Sequence, residues 1–136
     1  MSDFKLWQRR EAVAPANGSW KTVVLDSKGG ISLNTEPGLL LALATLDADI
    51  PDGCTLQARF YEVDYKRGEK TVRVTSPMVT NELLPTSGKT FGPVVFLENV
   101  RAKKAGWSRR VRLEIKATGG KAIPVKANVR ALRDEG

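Results

Sequence analysis

A chain of 136 residues, 41% apolar and 27% charged, has the size and composition of one globular domain with one core, which excludes a wholly disordered chain. It has no histidine and a single cysteine, Cys54, which excludes an internal disulfide and the usual zinc spacings and removes the commonest general base of catalysis. The formal charge is +7, and residues 101–136 hold 11 basic against 3 acidic side chains while residues 1–100 hold 11 against 12, so the excess belongs to the last quarter.

In chain order, Met1–Arg10 contains an early acid and no long apolar run, so no signal peptide is expected. Phe4–Val13 reads as an amphipathic arm in which Phe4, Leu6 and Trp7 can pack while Arg9 and Arg10 stay wet. Residues 1–16 are expected to be either an arm that reaches a neighbouring subunit or the first edge strand, broken at Pro15–Gly18. Trp20–Leu25 is rich in β-formers and ends at the turn Asp26–Gly30. Ile31–Leu33 makes a short strand at most before a second turn at Glu36-Pro37-Gly38. Leu39–Leu46 is apolar on both parities. Its short length between Pro-Gly and an Asp-rich loop suits a doubly buried central strand better than a free-standing helix, and it is too short to span a bilayer. No membrane insertion is expected.

Thr55–Tyr65 alternates Leu56, Ala58, Phe60 and then switches parity to Tyr61, Val63, Tyr65, which predicts a bulge near Phe60. After the turn Lys66–Glu69, Val72 and Val74 answer as the returning arm of a hairpin. Ser76–Lys89, with its two prolines, is predicted to be the longest loop, with little regular structure. Thr90–Val100 is a strand bent or bulged at Gly92-Pro93, and Arg101–Ser108 is a basic loop that contains Trp107. Then Val111, Leu113, Ile115 and Ala117 alternate with Arg110, Arg112, Glu114 and Lys116, as Val125, Ala127, Val129 and Ala131 do with Lys126, Asn128 and Arg130. With Gly119-Gly120 supplying positive φ between them, these arms predict an antiparallel hairpin with an aliphatic inner face and an almost wholly cationic outer face. Pro124 puts its part of the strand at an edge or at the strand's start. Seven to nine short strands with little or no helix predict an all-β fold, a jelly-roll-like antiparallel β-sandwich in one domain over 1–136.

Few residues invite chemistry. Asp47, Asp49 and Asp52 before Gly53 resemble a short calcium loop. The third acid comes one residue late, Pro51 interrupts the run, and the bidentate Glu is not in place, so a plain strand connection is the better reading. No metal or other cofactor is expected. Cys54 in its Pro-Asp-Gly-Cys turn reads as a small buried thiol, and no pair of acids sits in an apolar setting, so no enzyme activity is expected. Arg101, Lys103, Lys104, Arg109, Arg110 and Arg112 surround only one aromatic, Trp107. Phosphate contact needs clustered cations, but single-strand binding also needs a platform of stacking aromatics, so nucleic acid is not an expected partner. The residues alone leave open a solvated strand face, core or lid tryptophans, a carbohydrate platform and a protein interface. In an interface Trp7 and Trp20 would be anchors and Arg9, Arg10, Arg101, Lys103, Lys104, Arg109 and Arg110, beside Trp107, would steer the approach of acidic neighbours.

The stretch Leu56-Gln-Ala-Arg-Phe-Tyr-Glu-Val-Asp-Tyr-Lys-Arg-Gly-Glu-Lys-Thr-Val-Arg-Val74 resembles minor tail proteins of tailed bacteriophages that infect actinobacteria. Gly38-Leu-Leu-Leu-Ala-Leu43 with Leu46-Asp-Ala-Asp-Ile-Pro-Asp-Gly53, Ser87-Gly-Lys-Thr-Phe91 and Arg109-Arg-Val-Arg-Leu-Glu-Ile115 are similar to the same group, so most of residues 38–117 is covered. The resemblance is one of phrases and their order, with no catalytic signature. It implies a virion structural component, made in the host cytoplasm and assembled in copies on the tail or at its tip. It also implies homo-oligomerisation and contact with other virion proteins. A capsid decoration protein is the rival within that class, and a carbohydrate- or host-surface-binding β-sandwich the rival from another.

Overall fold

The computed structural model describes residues 6–23, 38–66, 72–74, 80–84, 89–100 and 107–134. They form nine strands: β1 (Leu6–Ala14), β2 (Lys21–Thr22), β3 (Gly38–Asp47), β4 (Thr55–Lys66), β5 (Val72–Val74), β6 (Thr80–Leu84), β7 (Thr90–Val100), β8 (Trp107–Thr118) and β9 (Ile123–Asp134). The first sheet has the order β1-β9-β3-β7. The second has β2-β8-β4, with β5 and β6 both pairing the far side of β4. Every pairing is antiparallel. Successive strands change sheet at each connection except along β4, β5 and β6, which is the path of a jelly roll, the two-sheet fold the strand count predicts.

The alternation read from sequence becomes two facing apolar rows. Ala42, Ala44, Leu46, Val94, Phe96, Val125, Ala127 and Val129 line the first sheet, and Leu56, Ala58, Phe60, Leu113, Ile115 and Ala117 the second, all buried. Phe60 and Phe96 meet edge to face across the core, with ring centroids 6.2 Å apart, and so tie β4 to β7. Of residues 1–16, Leu6–Ala14 form β1, an edge strand among the described residues, and residues 1–5 lie outside them. The Pro15–Gly18 break is a turn, closed by the Gly18 N–H donating to the Pro15 carbonyl and by Asn17 Oδ1 accepting from the Ser19 N–H. β3 is central, as its apolar run predicts, and Gly92-Pro93 does carry the irregularity. There the β3–β7 register shifts between Ala44↔Val94 and Leu46↔Phe91, so two residues of β7 face Thr45 alone. Pro124 is the second residue of β9, beyond the end of the β3 ladder at Asp47↔Lys126, and thus at the strand's start.

Four expectations are corrected. The final two strands are no hairpin, because β8 pairs with β4 in one sheet while β9 lies between β1 and β3 in the other. Their apolar rows face each other across the core, and longer partners claim both ladders, so residues 119–122 form an arch between sheets. Gly119 and Gly120 still have φ of +111° and +80°, but the arch also presses Gly119 onto the neighbouring loop: a Cβ there would lie 2.7 Å from the Gly53 carbonyl oxygen. Second, no bulge interrupts β4 at Phe60, since its register with β8 runs unbroken from Thr55↔Thr118 to Lys66↔Trp107. Third, the segment expected to be loop over Ser76–Lys89 contains β6, which pairs with Leu56–Phe60 and buries Leu84. Its two prolines bracket a strand, and the exposed side of β4 supplies the ladder that local sequence does not advertise. Fourth, Trp107 and Ser108 belong to β8 and not to the preceding loop. Of the strand expected over Trp20–Leu25, Lys21–Thr22 form β2, the Val23 N–H donates to the Leu113 carbonyl at 2.9 Å, and Val24 and Leu25 lie outside the described residues. The turns expected at Asp26–Gly30 and Glu36-Pro37, the short strand Ile31–Leu33 and residues 67–71 lie outside the described residues.

Candidate functional site

Because β8 and β9 occupy different sheets, the cationic row predicted for a single hairpin face is divided between opposite sides of the sandwich. Arg112 and Lys116 belong to the second sheet, Lys126 and Arg130 to the first.

On the solvent side of the second sheet, Glu114 is 7% exposed and serves as a hub. Arg59 on β4 donates to its Oε1 from Nε at 3.0 Å and from Nη2 at 2.7 Å, and the Thr22 hydroxyl donates to its Oε2 at 3.3 Å. Trp20 covers this group, with the Arg59 guanidinium carbon 3.8 Å and Lys116 Nζ 5.7 Å from its ring centroid. The cluster clasps the short β2 segment to β4 and β8 and occupies Trp20 in cation–π contact.

The solvent side of the first sheet has two unlike halves. Over β1 and β9 it is polar: Arg9 Nε donates to Asn128 Oδ1 at 2.9 Å, and Lys126 Nζ stands 3.9 Å from Glu11. Over β3 and β7 it is aliphatic. Leu41 is registered against Leu97 and Leu43 against Val95, with Leu41 and Leu43 half-buried, Val95 39% exposed and Leu97 56% exposed. The double apolar parity of β3 therefore marks one face buried in the core, Ala42, Ala44 and Leu46, and one half-buried on the solvent side, Leu41 and Leu43.

At the end of the first sheet a groove of about 430 Å³ is floored by Val13, Ala48 and Pro124 and rimmed by Glu11, Asp47, Asp49, Lys89 and Lys126. Asp47 accepts from the Thr90 hydroxyl at 2.8 Å, and Lys89 stands 3.9 Å from Asp49. Asp52 is in the turn that follows and does not line the groove. Among the described residues no group of three or more Cys, Asp or Glu side chains is placed to share a metal ion. Cys54 is buried, with Sγ 3.8 Å from the Gly119 carbonyl oxygen.

The described candidate interface residues are divided between the two sheets. Arg9 and Arg10 are exposed on β1, where the backbone of Trp7 lies opposite Arg130, and Trp20 belongs to the other sheet. Trp107, Arg109 and Arg110 take β8 positions opposite Lys66, Asp64 and Val63, and Arg101, Lys103 and Lys104 lie outside the described residues. Sequence reasoning misses Leu41, Leu43, Val95 and Leu97. The signal is present in two strands apolar on both parities, but patterning alone assigns it to burial within the chain. Among the described residues no helix is long and apolar enough to cross a membrane. Comparison with protein-family models, with curated proteins and with solved structures finds no match.

Proposed function

We propose that this chain is a non-enzymatic structural protein of a tailed bacteriophage virion, a minor tail component that acts by assembling on the tail or its tip. The observation that carries the reading is the aliphatic strip of Leu41, Leu43, Val95 and Leu97 on the solvent side of the first sheet. Such a strip is the chemistry of a protein contact, and the polar rows of β1 and β9 beside it resemble the rim that surrounds an interface core. The phrases of residues 38–117 that resemble minor tail proteins supply the class of assembly. The groove beside Val13 and Asp49 favours a second reading, a module that binds host-surface carbohydrate.

The test is gold-labelled antibody against the purified protein, applied to virions of the phage that encodes it. Label on the tail or tail tip is the expected result. Label over the capsid would replace tail protein by decoration protein, and no label would overturn the reading. Binding to a glycan array that is lost in Val13→Lys would favour the carbohydrate module.

A further inference from the structure

We infer that β7 is the strand through which two copies of this chain pair, antiparallel and about a two-fold axis. The two first sheets would join into one eight-stranded sheet. This deepens the proposed assembly role, on which it rests, and names its surface.

An open edge presents unpaired N–H and C=O groups, and proteins that stay apart blunt their edges with charge, proline, a bulge or brevity. Among the described strands, β1 carries exposed Arg9, Arg10 and Glu11, β2 has two residues, and β5 and β6 are described over three and five. Among the described residues β7 ends the first sheet with 11 residues, and its Gly92-Pro93 irregularity guards only one end. From Val94 to Val100 the strand has a reach of roughly 23 Å, at ~3.3 Å per residue. Its first four residues, Val94-Val95-Phe96-Leu97, have high β propensity and no charge.

Charge identifies the occupant. Two copies of a chain of net charge +7 repel, and they meet with least repulsion where cations are absent. Residues 90–100 contain no Lys or Arg and one acid, Glu98, whereas the opposite edge of the same sheet holds Arg9 and Arg10. Antiparallel pairing of a strand with its own copy is self-complementary, because residue i meets j while j meets i, so it needs no second matching sequence. It also sets the exposed Val95 and Leu97 of each copy side by side, extending the aliphatic strip across the junction.

The experiment is sedimentation equilibrium of the full chain across protein concentration, for the native sequence and for Val95→Lys, Leu97→Lys and Val13→Lys. Val13 is 50% exposed on the opposite edge strand, so its variant adds the same charge away from β7. The expected result is a dimer that both β7 variants weaken tenfold or more and that Val13→Lys leaves unchanged, with melting temperatures alike. Amide exchange supplies a second readout, since β7 amides of the native chain should gain protection as concentration rises. A monomer throughout, a dimer indifferent to both β7 variants, or equal weakening by Val13→Lys overturns the pairing. A monomer that still labels virion tails refutes the pairing and spares the assembly role; a β7 dimer with no virion label does the reverse.

Discussion

Replacing Gly119 and Gly120 separately by alanine tests the arch between β8 and β9. Both glycines have positive φ, where a side chain costs about 1–2 kcal/mol. They differ in surroundings. A Cβ on Gly120 meets nothing within 4 Å, whereas one on Gly119 would lie 2.7 Å from the Gly53 carbonyl oxygen and 2.8 Å from Cys54 Cα. Those neighbours are backbone and cannot rotate away, so Gly119→Ala adds an overpacking cost of about 1–3 kcal/mol. Gly120→Ala should cost about 1 kcal/mol in all and Gly119→Ala about 3–4. For a domain of this size those losses lower the melting temperature by roughly 4 °C and roughly 12 °C. Thermal and urea unfolding followed by circular dichroism measure both. Cys54→Ala in the Gly119→Ala background should restore little, because it removes the sulfur and leaves the backbone clash in place. Equal losses at the two glycines would refute the reasoning: the pair would then be acting as a free turn, with no strand connection pressed against Gly53 and Cys54.

Two further stability predictions follow from single side chains. Gln8 on β1 has a buried Oε1 with no hydrogen-bond partner among the described residues, so Gln8→Met, which keeps the length and removes the oxygen, should stabilise the fold by about 1 kcal/mol in urea unfolding. A double-mutant cycle of Arg59→Ala and Glu114→Ala should return a coupling of about 1–2 kcal/mol. That value is held below that of a fully buried pair because the Arg59 side chain is 27% exposed, and a coupling near zero would deny Glu114 its place as the hub of the β2 clasp.

Much of the fold is legible in the sequence because period-two patterning reports directly on which strand face is buried. Val111 to Ala117 and Val125 to Ala131 read as strands, and the rows Leu113, Ile115, Ala117 and Val125, Ala127, Val129, Ala131 are buried as the pattern predicts. Their partners are not legible. A run of alternating residues states that it has an inner face but not whether its neighbour in sequence lies beside it or across the core. Gly119-Gly120 serves the arch as well as it would serve a hairpin. β6 is hidden for a related reason: Thr80–Leu84 carries weak local signal, and only the free side of β4 makes it a strand. At the candidate site the aromatic and basic residues draw attention, yet Trp20 is engaged by Arg59 and Lys116 within its own chain. The aliphatic strip is visible in Leu39–Leu46 and in Val94-Val95-Phe96-Leu97, but patterning cannot distinguish burial by the same chain from burial by another.

The division of the basic residues alters what the net charge can do. Two stacked sheets lie about 10 Å apart, and side chains on their outer faces project further still, so Lys126 and Arg130 are separated from Arg112 and Lys116 by more than the Debye length of about 8 Å at physiological salt. They cannot act as one patch toward a polyanion. On the first sheet, moreover, the cations share their face with Glu11 and Asp47. A net charge of +7 repels other copies of the chain, and a neutral edge such as β7 is where two copies meet with least repulsion. The two uses of charge then have opposite salt dependence. Added salt makes counterion release less favourable and weakens a protein that grips phosphates, whereas it screens like-charge repulsion and strengthens association through an apolar edge. Self-association that tightens between low and physiological ionic strength supports the β7 contact. Self-association that loosens over the same range would mean that copies meet through ion pairs, and would return attention to the charged rim at Glu11, Asp47 and Asp49.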